Sequence, residues 1–141
     1  MPAWSVRLIR GALVYLVAGA MIGAMLLSAA ARGVAVPVGP ARALHAELLL
    51  FGWLVQFTMG VAYWMMPKHA TGPERGPVAP IVAAWLLLNA GVWLAGLGQA
   101  LLWPDPVVIA GRAAEAGAVL AFAINLVPRV KAFGAGRSPS P

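Results

Sequence analysis

The stretch ARALHAELLLFGWLVQFTMGVAYWMMPKH, residues 41–69, decides the fold of this chain. It is almost entirely apolar, yet Arg42, His45 and Glu47 stand close together at its start. Its apolar part, about residues 43–66, is longer than the roughly 20 residues that an α-helix needs to cross a bilayer. The stretch therefore predicts a membrane-spanning helix with ionisable side chains near one end.

Working outward, three further apolar runs reach the same length, at about residues 8–31, 79–103 and 107–127. The segments between them are rich in Pro and Gly, which do not continue a helix. The first run is longer than the roughly 7–15 residues of a signal-peptide core, which predicts a retained span. The sequence thus predicts an all-α, integral membrane four-helix bundle over residues 1–128, followed by a flexible cytoplasmic tail over 129–141.

Composition supports a membrane location. The chain is 62% hydrophobic and 10% charged, whereas a soluble domain has roughly 25% charged residues. With so few charges, the net charge of +6 indicates topology, and no nucleic-acid partner is expected. The absence of cysteine excludes disulfides and thiolate metal sites. The expected partner is the lipid bilayer.

The positions of the basic residues predict the orientation of the bundle. Cytoplasmic loops carry an excess of Lys and Arg. Seven basic residues lie on the side of both termini and three on the other side, which predicts that the N and C termini are cytoplasmic and that His45 lies near the outer surface. The seven are Arg7, Arg10, Lys68, Arg75, Arg129, Lys131 and Arg137, and the three are Arg32, Arg42 and Arg112.

His45 needs a partner, because an ionisable side chain inside a span is unfavourable. At 100° per residue, His45 shares a helix face with Gly52, Gln56, Met59 and Tyr63. The glycine two turns after the histidine predicts a slot for a flat ligand, and haem is a flat ligand that imidazole binds. A hydrogen bond from His45 to a neighbouring helix is the competing interpretation.

Arg112 and Glu115 are the other charged residues within a predicted span. At positions i and i+3 of one helix they can pair with each other. Arg112 lies at the depth expected for His45, so its guanidinium could instead bind a haem propionate, as could that of Arg42. Glu47 could pair with either arginine.

Gly19 and Gly23 form a G-x-x-x-G pattern in the first span. Small residues at this spacing let helix backbones approach closely in lipid. The pattern favours packing against the other helices of the same chain, with a dimer interface as the alternative.

Residues 41–69 resemble the second transmembrane helix of subunit I in cytochrome-c-dependent nitric oxide reductases and in C-type haem-copper oxidases. The residues that carry the resemblance are Arg42 and His45, the segment FGWLVQFTMGVAYWMMP, and Tyr63 four residues before Pro67. In that family the histidine of this helix is an axial ligand of a low-spin haem b near the outer membrane face. The resemblance implies that His45 binds the iron of a haem b in a bacterial or archaeal cytoplasmic membrane. The expected cofactor-binding residues are His45, Arg42, Gly52, Gln56, Met59, Tyr63 and Arg112.

The chain also departs from that family, since its only histidines are His45 and His69. Two histidines cannot assemble a binuclear centre that reduces oxygen or NO, so catalysis is not expected. His69 is about 36 Å from His45 along a helix and cannot bind the same iron. A second axial ligand would come from another chain or from a methionine, with Met59 on the same face.

Two arrangements of the haem remain open. In a homodimer, His45 of each protomer would contribute to a haem between two copies of the second span. Alternatively, each protomer binds a five-coordinate haem with an open iron position.

The leading functional prediction is a small cytochrome b-like protein that acts in electron transfer, haem handling or gas sensing. The alternative is a non-catalytic accessory or assembly subunit of a respiratory complex without haem. A proton-coupled transporter ranks last, because such transporters generally use an acidic residue in the first span and this chain has none there.

Overall fold

The computed structural model describes residues 1–35, 38–69 and 73–130, without the side chain of Val38. In this part of the chain all regular secondary structure is helical. The elements are α1 (Ala3–Ala31), α2 (Val38–Glu47), the π-helix π1 (Leu48–Val55), α3 (Gln56–Met65), α4 (Ala79–Ala100), α5 (Asp105–Leu126) and a 3₁₀ turn (Val127–Arg129).

The four predicted spans are confirmed as helices. Because α2, π1 and α3 follow one another without a break, they form a single second span, and the described residues contain four helices long and apolar enough to cross a membrane. The fourth begins at Asp105, two residues before the predicted start. Pro106 is tolerated there because the first-turn N–H groups of a helix have no intrahelical partner.

Two helices end with a residue in the left-handed conformation. After α1, Gly33 has a φ of 66°, and the N–H groups of Gly33 and Val34 donate to the carbonyls of Ala30 and Ala29. After α4, Leu102 takes the same role with a φ of 55°, although a side chain disfavours that conformation. Both endings bind carbonyls that the helices would otherwise leave free.

Close helix packing depends on glycine. A Cβ on Gly111 of α5 would lie 2.6 Å from the backbone nitrogen of Ala95, and one on Gly91 of α4 would lie 2.8 Å from the carbonyl oxygen of Gly111. The two backbones therefore touch, as small residues permit in membrane bundles. On α1, Gly19 faces Leu48 and Leu49. The G-x-x-x-G pattern thus packs within the chain, as predicted.

The π1 segment changes the phase of the second span. The backbone N–H of Gln56 donates to the carbonyl of Phe51, five residues earlier, instead of the usual four. Met59 and Tyr63 consequently lie in the core cluster with Ile81, Leu88 and Phe122. A uniform 100° rotation had placed these two side chains on the face of His45, and the π1 segment interrupts that uniform rotation.

The bundle has two chemically different ends. At the Asp105 end, α1 and α4 finish while α2 and α5 begin. At the Arg129 end, α1 and α4 begin while the second span and α5 finish. The side of α1 that faces away from the bundle carries large exposed apolar residues, as lipid contact requires: Leu13, Val14, Val17, Met21, Met25 and Leu27.

Candidate functional site

The half-buried side chain of His45 lies between α2 and α1. Its Nδ1 is 2.8 Å from the carbonyl oxygen of Gly19. A Cβ on Gly23 would lie 2.6 Å from Cε1 of the imidazole, so the glycine makes room for the ring. Because a carbonyl only accepts hydrogen bonds, Nδ1 is the donor, and in the neutral imidazole the lone pair is then on Nε2. No side chain or carbonyl of the described residues is hydrogen-bonded to Nε2.

His45 lines a groove of about 310 Å³ between α1 and α2 at the Asp105 end. Its walls are apolar on the α1 side, where Leu26, Leu27 and Ala30 lie, and Arg42 stands one turn before the histidine. The guanidinium of Arg42 forms no ion pair with a described carboxylate. The groove therefore combines a free imidazole nitrogen, an apolar wall and an unpaired cation.

The expected slot beside Gly52 is not open. The ring of Tyr15 on α1 fills it, because a Cβ on Gly52 would lie 2.6 Å from Cγ of that ring. The hydroxyl of Tyr15 donates to Oδ1 of Asn89 at 2.8 Å, which ties the ring to α4. This part of the prediction is wrong, because an aromatic side chain from α1 takes the space that the glycine leaves.

Gln56 is fully buried at the α1 contact and does not border the His45 groove. Its Nε2 donates to the carbonyl of Leu8 at 3.2 Å, and Gly11 provides the space for the amide. The structure thus separates the predicted cofactor residues. His45 and Arg42 share a groove, while Gly52, Gln56, Met59 and Tyr63 serve helix packing.

Arg112 binds two carboxylates. Its Nη2 lies 2.6 Å from Oε2 of Glu47, and its Nη1 lies 2.9 Å from Oε2 of Glu115. The predicted pair within α5 is confirmed, and the open choice for Glu47 is resolved in favour of Arg112. Arg112 is thus engaged with two carboxylates, and its predicted contact with a haem propionate stays a prediction.

The Arg129 end contains a site that the sequence did not reveal. Arg129 is 1% exposed, whereas the sequence placed it in a flexible tail. Its guanidinium donates to the carbonyls of Tyr63, Met66 and Pro67 at 2.9–3.0 Å, which are among the last carbonyls of the second span. Arg75 also donates to the carbonyl of Tyr63, at 2.8 Å. The last carbonyls of a helix need hydrogen-bond donors when the helix ends inside a bundle. This need is the one signal that could have indicated these arginines.

His69 lies at the Arg129 end, where its backbone N–H donates to the carbonyl of Glu74 at 2.8 Å. It is therefore at the opposite end of the bundle from His45, as the helix length predicted. The rest of the predicted tail, residues 131–141, lies outside the described residues. The two histidines cannot share one metal ion.

The groove at His45 fits the donor set of a haem b site in part. Histidines that bind metals usually donate their other ring N–H to a carbonyl or carboxylate, and Nδ1 of His45 does so. Arg42 supplies a cation for a propionate. The groove is lined only by residues of α1 and α2, so it does not enclose a ligand on all sides. A bound haem would therefore need a second surface.

Comparison with protein-family models, with curated proteins and with solved structures finds no match to this chain. The resemblance of residues 41–69 to subunit I therefore stays a prediction. The functional argument below uses the geometry of the described residues.

Proposed function

We propose that this chain is a small integral membrane protein that binds haem b through Nε2 of His45. The observation that supports this proposal is the hydrogen bond from Nδ1 of His45 to the carbonyl oxygen of Gly19. This bond holds the imidazole in the tautomer that binds iron through Nε2. In this proposal Arg42 binds a propionate, and Leu26, Leu27 and Ala30 contact the porphyrin. Haem supplies one-electron and gas-binding chemistry when it is bound.

The proposal includes an orientation. Seven of the ten basic residues belong to the side of the termini, so the Arg129 end is cytoplasmic and His45 lies near the outer surface of the membrane. Because the described residues cover the haem on one side only, a second copy of the chain or a respiratory partner completes the site. A sixth ligand from that partner gives an electron-transfer protein, and an open sixth position gives a gas-binding one.

Absorption spectra test the proposal. The detergent-purified protein, oxidised and then reduced with dithionite, is compared with His45→Ala and with His69→Ala as the matched control. We expect b-type Soret and α bands in the wild type and in His69→Ala, and their loss in His45→Ala. Six-coordinate bands would favour a haem shared between two protomers. Five-coordinate bands would favour one haem in each protomer.

An accessory subunit without haem is the second candidate. It is favoured by the Tyr15 ring that fills the slot beside Gly52, and by His45 already being bonded to α1. In this case the histidine only holds two helices together. A wild type that binds no haem after reconstitution with hemin would overturn the haem proposal in favour of this role.

A further inference from the structure

The interior of the bundle holds more carboxyl groups than cationic groups. Glu47 and Glu115 are 3% and 2% exposed, and the one cation that contacts them is Arg112, whose side chain is 42% exposed. Two ionised carboxylates and one guanidinium would leave a net charge of −1 in an apolar interior. A buried charge without compensation is strongly unfavourable, so the group changes its ionisation instead.

The carboxyl oxygens show where the compensating charge belongs. Oε2 of each glutamate binds Arg112, whereas Oε1 of Glu47 and Oε1 of Glu115 are buried and have no hydrogen-bond partner among the described residues. The two carboxyl groups contact the same guanidinium. One proton on this pair would remove the excess charge and turn one carboxyl group into a hydrogen-bond donor.

The surroundings contain no other charge to compensate it. On α4 the carboxyl stems pack against Gly91 and Gly96, whose missing side chains provide the space for them. From π1, the ring of Phe51 lies 5.5 Å from the guanidinium carbon of Arg112. His45 faces α1 instead. Among the described residues, no further ionisable group contacts the triad of Glu47, Arg112 and Glu115.

A partly polar cavity, called the vestibule below, lies on the Asp105 side of this triad. This cavity of about 360 Å³ lies between α2, α4 and α5, and Ala43, Gln99, Asp105 and Val108 are among its lining residues. Ala43 and Val108 are four residues before Glu47 and Arg112, so the cavity lies one helical turn from the triad on the same faces. On the other side, one turn deeper, the fully buried Leu88 and Ala118 close the path.

We propose that Glu115 is a proton-binding site that opens to one end of the bundle. It holds one proton, donates it in a hydrogen bond to Glu47, and exchanges it with the aqueous phase through the vestibule. Glu115 is chosen because Glu47 makes the shorter ion pair with Arg112, 2.6 Å against 2.9 Å. The site does not depend on haem and is a candidate station for proton transfer.

Infrared spectroscopy of the purified protein at neutral pH tests this proposal. The chain has four acidic residues. Of these, Glu74 and Asp105 are exposed, so a protonated-carboxyl C=O band that shifts in D₂O identifies the buried site. We expect the band in the wild type and in Asp105→Asn, the matched control, and its loss in Glu115→Gln. A wild type without the band, or a band that persists in Glu115→Gln, would overturn the proposal.

The charge balance of the triad predicts the infrared result for two further variants. In Glu47→Gln the remaining carboxylate is matched by Arg112, so the band should disappear. In Arg112→Met neither carboxylate has a cation, so the band should grow as both become protonated. Glu115→Asp should move the band and Glu47→Asp should not. The reverse pattern would assign the proton to Glu47 and contradict our choice.

The access route has its own test. Ala43→Leu fills the vestibule, and Ala123→Leu makes the same change in a groove at the Arg129 end. We expect the carboxyl proton to exchange with deuterium more slowly in Ala43→Leu only. Equal exchange rates in both variants would show that the proton does not travel through the vestibule.

Discussion

Arg112 and Arg129 lie towards opposite ends of the bundle, and both are held by oxygen atoms. The partners of Arg112 are two buried carboxylates, whereas Arg129 donates to three backbone carbonyls and, at 3.4 Å, to Oδ1 of Asn125. Carbonyl groups are neutral, so the Arg129 end keeps a fixed positive charge. At the Arg112 site two carboxyl groups share one guanidinium, so the net charge depends on their protonation. The same side chain thus fastens a helix end in one place and belongs to an ionisable site in the other.

The largest expected effect comes from removing the side chain of Arg129, which binds the end of the second span. Arg129→Ala leaves the carbonyls of Met66 and Pro67 without their donor and that of Tyr63 with Arg75 alone. Hydrogen bonds from a charged group are worth roughly 1.5–3 kcal/mol each. We expect a loss of at least about 3 kcal/mol in the free energy of unfolding. Denaturant titration in detergent measures it, with exposed Arg10→Ala as the control. A result equal to that of Arg10→Ala would show that the second span ends stably without this arginine.

Arg112→Met should have a smaller effect that depends on pH. The guanidinium is partly exposed, so we expect a loss of about 2 kcal/mol near neutral pH. Both buried carboxyls must then be protonated in the folded state. The folded variant therefore binds more protons than its unfolded chain, and its stability should rise as the pH falls towards the ordinary carboxyl range near pH 4.3. The same titration as for Arg129→Ala, repeated at several pH values, measures this. A deficit that did not change with pH would argue against a purely ionic role.

Gly23→Ala perturbs the His45 groove. The added methyl would lie 2.6 Å from Cε1 of His45, so the imidazole must turn and lose its bond to Gly19. We expect a loss of about 1 kcal/mol in stability and weaker binding of hemin. Gly39→Ala is the matched control, because nothing lies within 4 Å of its added Cβ. Unchanged hemin binding in Gly23→Ala would show that hemin does not bind through His45.

The smallest effect is expected at the surface of the Arg129 end. The hydrogen bond and charge of Lys68, 2.6 Å away, lower the pKa of Glu74. A lowered carboxyl pKa contributes stability above its ordinary value, and this is lost as the pH falls through the lowered pKa. In Lys68→Ala the pKa of Glu74 should return towards its ordinary value with little change in stability, because the pair is exposed. NMR titration measures the pKa, and an unchanged value would show that Lys68 is not its cause.

The sequence predicted the number, order and approximate ends of the spans, because apolar length and Pro-rich breaks are local properties. It also indicated the pair of Arg112 and Glu115, whose i, i+3 spacing is fixed by the helix itself. It did not predict that Arg129 is buried. That depends on where the second span and α5 finish relative to each other in space.

By itself, then, the sequence determined four apolar helices, a basic side and a histidine near one end of the second span. Only the tertiary structure decided what surrounds that histidine. Tyr15 fills the space beside Gly52, the π1 segment turns Met59 and Tyr63 into the core, and Glu47 meets Arg112 across α2 and α5. These outcomes depend on helix phase and on contacts between distant segments, and the local pattern of one helix contains neither.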